Sequence, residues 1–139
     1  MSTVHCQLST LNSQLSSGIF ITFSGNCKKA LRFYQTCFGG TLHFETFDIE
    51  LQGYTEKPVV SGSLVSDSIV IHGSDLVHNE GRKIGNYLSI FLPCKNADDR
   101  KVLIEKLGSD RRGLSARNYE EQNLIEVTDA FDVRWVLGV

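Results

Sequence analysis

The chain has 139 residues, of which 41% are apolar and 22% are charged, and its formal net charge is −2. One domain of this length buries roughly two-thirds of its unfolded surface, while the negative balance offers no basic field for nucleic acid or an anionic membrane. No apolar run approaches the ~20 residues that cross a bilayer, and the N-terminus lacks a signal-peptide pattern. We therefore expect a cytoplasmic protein with neither nucleic acid nor membrane as a partner.

The first part of the chain predicts a polar arm followed by a strand and a helix. Residues 1–17 are serine-rich and should lie outside a single domain that spans residues 18–139. The apolar run "GIFITF" favours a buried strand. Asn26 is placed to cap the helix that follows, and Gly39 with Gly40 ends that helix.

Three strands are predicted after this helix. The segment "TLHFETFDI" changes its apolar phase near Glu45 and Thr46, which indicates a bulge. The segments "VVSGSLV" and "SIVIHG" favour a strand pair joined by a tight turn at Ser66 and Asp67.

The second half of the chain predicts the same order of elements. "NYLSIFL" is a strand, Asn96 caps a second helix, and Gly108 ends it; "GLSARNYE", "NLIEVTD" and "VRWVLG" are the strands that follow. The two helix-ending glycines lie 69 residues apart, and the Asp-to-Gly segments "DSIVIHG" and "DVRWVLG" lie 65 apart. These offsets predict two matched β-α-β-β-β modules, at about residues 18–75 and 86–138.

The cysteines give no sign of a redox or zinc motif, because none of the four forms a C-x-x-C pair. Cys27 and Cys37 lie on one predicted helix about 15 Å apart, beyond the ~7 Å that a disulfide spans. We interpret both as packing residues rather than reactive thiols.

The segment "FSGNCKKALRFYQTCFGG" resembles the start of PhnB-like proteins, which lie within the glyoxalase and bleomycin-resistance group called the vicinal oxygen chelate superfamily. "IHGSD" and "VTDAFDVRW" match later landmarks of that group, although Asp132 stands where a turn glycine is usual. The resemblance implies an α+β fold, in which two tandem β-α-β-β-β modules form a curled mixed sheet around a cleft. It also implies a homodimer and, in many members, a divalent metal held by four strand residues.

The metal positions that the resemblance implies fall on aliphatic residues in this sequence, namely Ile19, Ile71, Leu88 and Val136. Hydrocarbon side chains cannot donate electrons to a divalent ion. A counting error of one residue would introduce a single common ligand, His72. We therefore expect no metal cofactor, and we expect metal-dependent glyoxalase or dioxygenase chemistry to be absent.

Strand alternation predicts what the cleft offers instead of a metal. If those four residues, Ile71 among them, face the cleft, then Arg134 faces it too, within an otherwise apolar lining. The guanidinium of Arg134 can hold a ligand carboxylate with two hydrogen bonds, or it can pair with Asp132 or Glu126. Glu126 is in turn either that ion-pair partner or a general base.

Further candidates carry weaker signals. Ser61 and Ser63 flank Gly62 and could offer hydroxyl groups to a ligand, or could mark a bulge or a close backbone approach. Neither has an adjacent base in sequence, so a serine nucleophile is not expected. His43 could reach the cleft or serve a structural role, and the polar loop "LVHNEGRKIGN" is either a cleft flap or a plain connection.

Three functions remain open on the sequence. The first is a metal-free protein that binds a small, partly apolar molecule, with acids included. The second is a lyase-type or dioxygenase-type enzyme with a non-standard cleft site, and the third is an interaction subunit whose pocket is vestigial.

Overall fold

The structure, a computed structural model, describes residues 17–47, 57–75, 83–85, 87–108 and 123–139. Within these ranges the elements follow in this order: β1 (Ile19–Thr22), α1 (Cys27–Phe38), β2 (Thr41–Thr46), β3 (Val59–Val65), β4 (Val70–Ser74), β5 (Ile90–Pro93), α2 (Ala97–Leu107), β6 (Leu124–Thr128) and β7 (Arg134–Gly138). The predicted arm and the predicted strand "GLSARNYE" lie outside the described residues, apart from Ser17 at the end of the arm.

The strands form two mixed sheets of the same design. In the first sheet the order is β1-β4-β3-β2, and in the second it is β5-β7-β6. The first and last strands of each module pair in parallel, whereas β3 with β4 and β6 with β7 pair antiparallel. The predicted α+β class and the duplicated plan are confirmed by this shared topology.

The predicted offsets between the modules are wrong by one or two residues. Ile19 pairs with Ile71 in the first module as Ile90 pairs with Trp135 in the second. The same correspondence appears in the backbone, where Phe23 donates to the carbonyl of Ser74 as Cys94 donates to that of Gly138. The true offsets are therefore 71 for the first strands (19 to 90) and 64 for the last strands (71 to 135), instead of 69 and 65.

Two glycines identify the face of the first sheet that packs against α1. A Cβ on Gly62 would lie 3.0 Å from Cδ1 of Leu31, and a Cβ on Gly73 would lie 3.0 Å from Sγ of Cys27. Both positions therefore point at the helix, and Gly62 marks the close backbone approach that its sequence context offered as one reading. We call this side of each sheet the helix face and the opposite side the open face.

The start of α1 is held differently from the sequence prediction. The side chain of Asn26 accepts no capping hydrogen bond, so the prediction that it caps the helix is wrong. Instead Oδ1 of Asp75, which is 2% exposed, accepts from the backbone N–H groups of Gly25 (2.8 Å) and Cys27 (2.9 Å). Its Oδ2 accepts from the N–H of Val59 at 2.9 Å, so one carboxyl group joins the helix start to β3.

Other local predictions are confirmed. The side chain of Asn96 accepts from the N–H of Asp99 at 2.7 Å and caps α2. The register of β2 against β3 shifts between Glu45 and Thr46, as the phase change indicates. In the turn after β3, Oγ of Ser66 accepts from the N–H of Ile69 at 3.0 Å.

A second buried carboxyl group joins the two modules. Asp129, which is fully buried, accepts from the hydroxyl of Tyr34 on α1 (2.6 Å) and from Nε1 of Trp135 on β7 (2.8 Å). It also accepts from the backbone N–H groups of Phe131 (2.8 Å) and Val133 (3.1 Å). The rings of Tyr34 and Trp135 pack edge to face with their centroids 5.6 Å apart, so a polar network and an aromatic cluster meet at this point.

The helices of the described residues are too short or too polar to cross a membrane. The described core is continuous across both modules, from Phe23 and Leu31 on one side to Trp135 and Leu137 on the other.

Replacing Tyr34 with Phe should lower the free energy of unfolding by about 1–3 kcal/mol, because the buried carboxyl group of Asp129 loses one of its donors. Tyr87→Phe is the matched control: its side chain is 83% exposed, and we expect a change within about 0.5 kcal/mol. Urea denaturation followed by the fluorescence of Trp135 measures both. Equal stabilities for the two variants would contradict the role given to Asp129.

Burial, reinforced by the nearby Asp75 carboxylate, raises the pKa of Cys27 from 9.0 to about 12. The unfolded thiol ionises near pH 9 and the folded thiol does not. The stability that the buried thiol adds to the folded state is therefore intact below pH 9 and is lost as the pH rises towards 12. We expect the difference in unfolding free energy between the native chain and Cys27→Ala to shrink over that range by up to about 1.4 kcal/mol per pH unit. Denaturation curves at pH 8, 9, 10 and 11 test this, and a constant difference would refute it.

Candidate functional site

A feature of functional interest lies at the seam between the two modules, where residues of β1 and of the turn before β7 line one cavity. A cavity of about 330 Å³ opens here, within the size range of small-molecule sites. Apolar side chains make up most of its wall and three charged side chains reach it; the lining residues are Phe20, Ile21, Thr22, Lys83, Ile84, Gly85, Leu88, Phe131, Asp132, Val133 and Arg134. We call this cavity the seam pocket.

Arg134 lines the seam pocket and is also paired. Its Nη2 donates to Oε2 of Glu126 at 2.7 Å, across the antiparallel pair of β6 and β7. The side chain of Arg134 is 21% exposed and that of Glu126 is 51% exposed. The pair is therefore hydrated on the Glu126 side, and an incoming carboxylate competes with Glu126 for the guanidinium.

The turn before β7 sets the position of Arg134. Asp129 holds this turn through the N–H groups of Phe131 and Val133. Asp132, between them, has φ = 67°, the left-handed region that favours glycine, and it is the one non-glycine residue of the described chain with positive φ. The resemblance implies a glycine at this position, which this φ favours; Asp132 instead puts a carboxylate on the wall of the seam pocket.

The segment Lys83–Gly85 forms another wall of the seam pocket. It belongs to the polar loop "LVHNEGRKIGN", for which the sequence left open a flap or a connection; His78 in the same loop lies outside the described residues. Lys83 and Ile84 were missed as site residues because a loop has no periodicity from which the direction of a side chain can be read.

The predicted direction of Ile71 is wrong. Ile71 is fully buried in the core and shares the helix face with Gly73, two residues along β4. Ile19 pairs with Ile71 in register and therefore lies on the same face. Leu88 lies before β5 and is 70% exposed at the seam pocket, while Val136 lies on the open face beside Phe91. The four positions do not converge on one cleft.

The open-face residues of the parallel strand pairs show whether a divalent metal fits this fold. Phe20 pairs with His72 in the first module, and Phe91 pairs with Val136 at the equivalent place in the second. Two phenyl rings and a valine cannot coordinate a divalent ion, and one imidazole alone does not make a site. Within the described ranges no three His, Cys, Asp or Glu side chains are grouped to hold a metal. The donor set does not fit the metal that the fold group commonly carries.

The open face of the first sheet carries a row of three polar side chains, His43, Ser63 and His72, none of which lines the seam pocket. Ser63 stands directly opposite His43 on β2 and His72 on β4, and Ser61 stands opposite Glu45. Neither histidine is adjacent to Ser63 in sequence, but strand register brings together residues that are 20 and 9 positions apart. No hydrogen bond is present between Ser63 and either ring, so the hydroxyl lacks the contact that would activate it.

A second cavity of about 220 Å³ lies at the other end of the same seam. None of its lining residues is ionisable; they are Ser17, Gly18, Ile19, Ser68, Ile69, Val70, Ile90, Phe91, Leu92 and Pro93. We call this cavity the apolar pocket.

The sequence matches no protein-family model, and no curated protein is similar to it at a significant level. Solved structures do share its fold. A Bacillus cereus PhnB protein, described as a putative 3-demethylubiquinone-9 3-methyltransferase, superposes with a TM-score of 0.66 at 18% identity and covers 89% of this chain and 98% of its own. A protein from Pseudomonas aeruginosa gives 0.63 at 22% identity, with 88% and 97% covered.

A member of the glyoxalase/bleomycin resistance/dioxygenase superfamily from Sphaerobacter thermophilus superposes with a TM-score of 0.50 at 18% identity, covering 90% of this chain and 98% of its own. Together with the duplicated topology, these likenesses define the class: the chain has the glyoxalase/bleomycin-resistance fold. Within that class its fold is of the PhnB-like kind. At these identities the likeness concerns the fold and does not extend to a reaction.

Proposed function

We propose that the protein binds a small, partly apolar acid in the seam pocket and does so without a metal ion. The observation that carries the proposal is a cavity of about 330 Å³ in which the guanidinium of Arg134 stands among exposed apolar side chains. Phe20 and Leu88 are 66% and 70% exposed. Covering them with a ligand removes apolar surface from water, which supplies a driving force of about 25 cal/mol per Å².

The acid group is proposed from the charges on the wall. Arg134 and Lys83 both reach the seam pocket, and a guanidinium binds a carboxylate through two parallel hydrogen bonds. In the structure, Nη2 of that guanidinium donates a hydrogen bond to the carboxylate of Glu126 on the solvent side. A ligand carboxylate takes over this position, and the half-exposed Glu126 returns to water.

The enzyme alternative has less support. Its proposed base, Glu126, is joined to Arg134 and does not line the seam pocket, so no substrate proton is placed within its reach. The vestigial-pocket alternative predicts a cleft filled by the protein's own side chains, whereas the seam pocket is open.

Replacing Arg134 with Met should weaken the binding of a carboxylate such as 4-phenylbutyrate by about 10- to 100-fold, since a hydrogen bond to a charged group contributes about 1.5–3 kcal/mol. Glu126→Gln should tighten binding, because the competing carboxylate is gone. Arg32→Met, on the exposed side of α1, is the matched control and should change nothing. Titration calorimetry at pH 7 measures all four proteins.

The primary amide of the same compound separates the acid group from the apolar body, and it should bind the native chain as weakly as the acid binds Arg134→Met. If neither acid nor amide binds, or if Arg134→Met binds the acid as tightly as the native chain, the proposed function is wrong.

We also propose, from the fold class alone, that the protein is a cytoplasmic homodimer. Native mass spectrometry of freshly purified protein should show twice the chain mass of 15.5 kDa and no bound zinc, nickel, manganese or iron. A retained organic acid would appear in the same spectrum. A monomer peak alone would contradict the dimer, and a stoichiometric metal would contradict metal-free binding.

A further inference from the structure

We propose that the seam pocket and the apolar pocket are the two ends of one binding groove, and that its ligand is an extended acid with a linear apolar tail of about a dozen carbons. The carboxylate lies at Arg134 and the tail runs along β1 into the apolar pocket. This inference rests on the proposed function, because it names the class of acid that the same site takes.

The two cavities share a wall formed by residues 17–22, a segment that contains β1. Residues Phe20–Thr22 line the seam pocket and residues Ser17–Ile19 line the apolar pocket, so successive residues of one short segment form both walls. On the other side of the seam, Leu88 lines the first cavity and Ile90–Pro93 line the second. The two sides therefore run in opposite directions along a common channel.

The length of the channel follows from strand geometry. Residues 17 to 22 are five steps apart at about 3.3 Å per residue, which gives about 16 Å. An extended hydrocarbon chain with bonds of about 1.5 Å advances about 1.3 Å per carbon, so about a dozen carbons fill this length.

The two ends of the channel differ in charge. Lys83, Asp132 and Arg134 reach the seam pocket, whereas no ionisable side chain lines the apolar pocket. A charged group is stable at the first end and costs several kcal/mol at the second if it is buried there without a partner. The groove therefore orients an amphipathic molecule, with the acid at Arg134.

The open-face side chains between the two ends are apolar and exposed. Phe20 is 66% exposed and Phe91 is 56% exposed, and they occupy equivalent positions on β1 and β5, the two strands that flank the seam. Exposed apolar surface that continues from one pocket to the next is typical of a site that a ligand covers. A ligand confined to the seam pocket would leave Phe91 in water.

A series of saturated acids tests the proposal directly. Hexanoate, octanoate, decanoate, dodecanoate and tetradecanoate are titrated into the full chain by calorimetry, each well below the concentration at which it forms micelles. We expect affinity to rise about two- to four-fold per added methylene as each is buried. The rise should stop near dodecanoate, where the tail reaches the end of the apolar pocket.

Phe91→Asp places a carboxylate beside the proposed position of the tail. It should weaken the binding of dodecanoate by about 10-fold or more and change the affinity for hexanoate by less than about two-fold. Ser68→Glu, in the exposed turn at the far end of the apolar pocket, is a second variant with little risk to folding. Val102→Asp is the matched control, because Val102 is 51% exposed on α2 and lines neither pocket. It should bind both acids as the native chain does.

The possible outcomes separate the two proposals. Equal affinities for hexanoate and dodecanoate, with both lost in Arg134→Met, would overturn the extended groove and leave the proposed function standing. No binding of any acid would overturn both. Binding of dodecyltrimethylammonium as tight as that of dodecanoate would overturn the polarity assigned to the groove, since the two share a tail and differ in the sign of the head group.

Discussion

The buried carboxyl group of Asp129 is the constraint on which the candidate site depends. It accepts hydrogen bonds from a helix of the first module, from the indole of the second, and from two N–H groups of the turn that leads into β7. A buried carboxyl group must keep such partners, because losing one costs more than a surface hydrogen bond is worth. The turn that positions Arg134 is thereby held by the same carboxyl group that joins the modules.

The elements that depend on neighbouring residues were predictable. The bulge in β2, the Ser66 turn and the Asn96 cap are each decided by two to four consecutive residues, and the structure has all three. The cap at Asn26 was not predictable in this way. Asp75 lies about 50 positions away in sequence, and its buried carboxyl group holds the N–H groups of Gly25 and Cys27 that flank Asn26. The local capping preference of Asn26 was overridden by a tertiary contact between residues that are far apart in sequence.

The site was predictable only in part, because the face of a strand residue changes with every position. An offset of 65 where the structure has 64 moved Ile71 from the helix face to the predicted cleft lining. Arg134 lies on the same face as Val136, because that relation depends only on the alternation along β7. The row of His43, Ser63 and His72 depends on strand register, and the wall that includes Lys83 depends on loop geometry. Neither can be deduced from the spacing of these residues in the sequence.

Pro93 at the end of β5 has a wider consequence for the molecule. The next residue, Cys94, donates its N–H to Gly138 on β7, so the nitrogen of Pro93 points to the outer edge of β5, and proline has no N–H to offer there. At that point the outer edge of β5 lacks the donor that an added strand would need. Proline on an edge strand in this way protects the sheet against extension by a strand of another molecule.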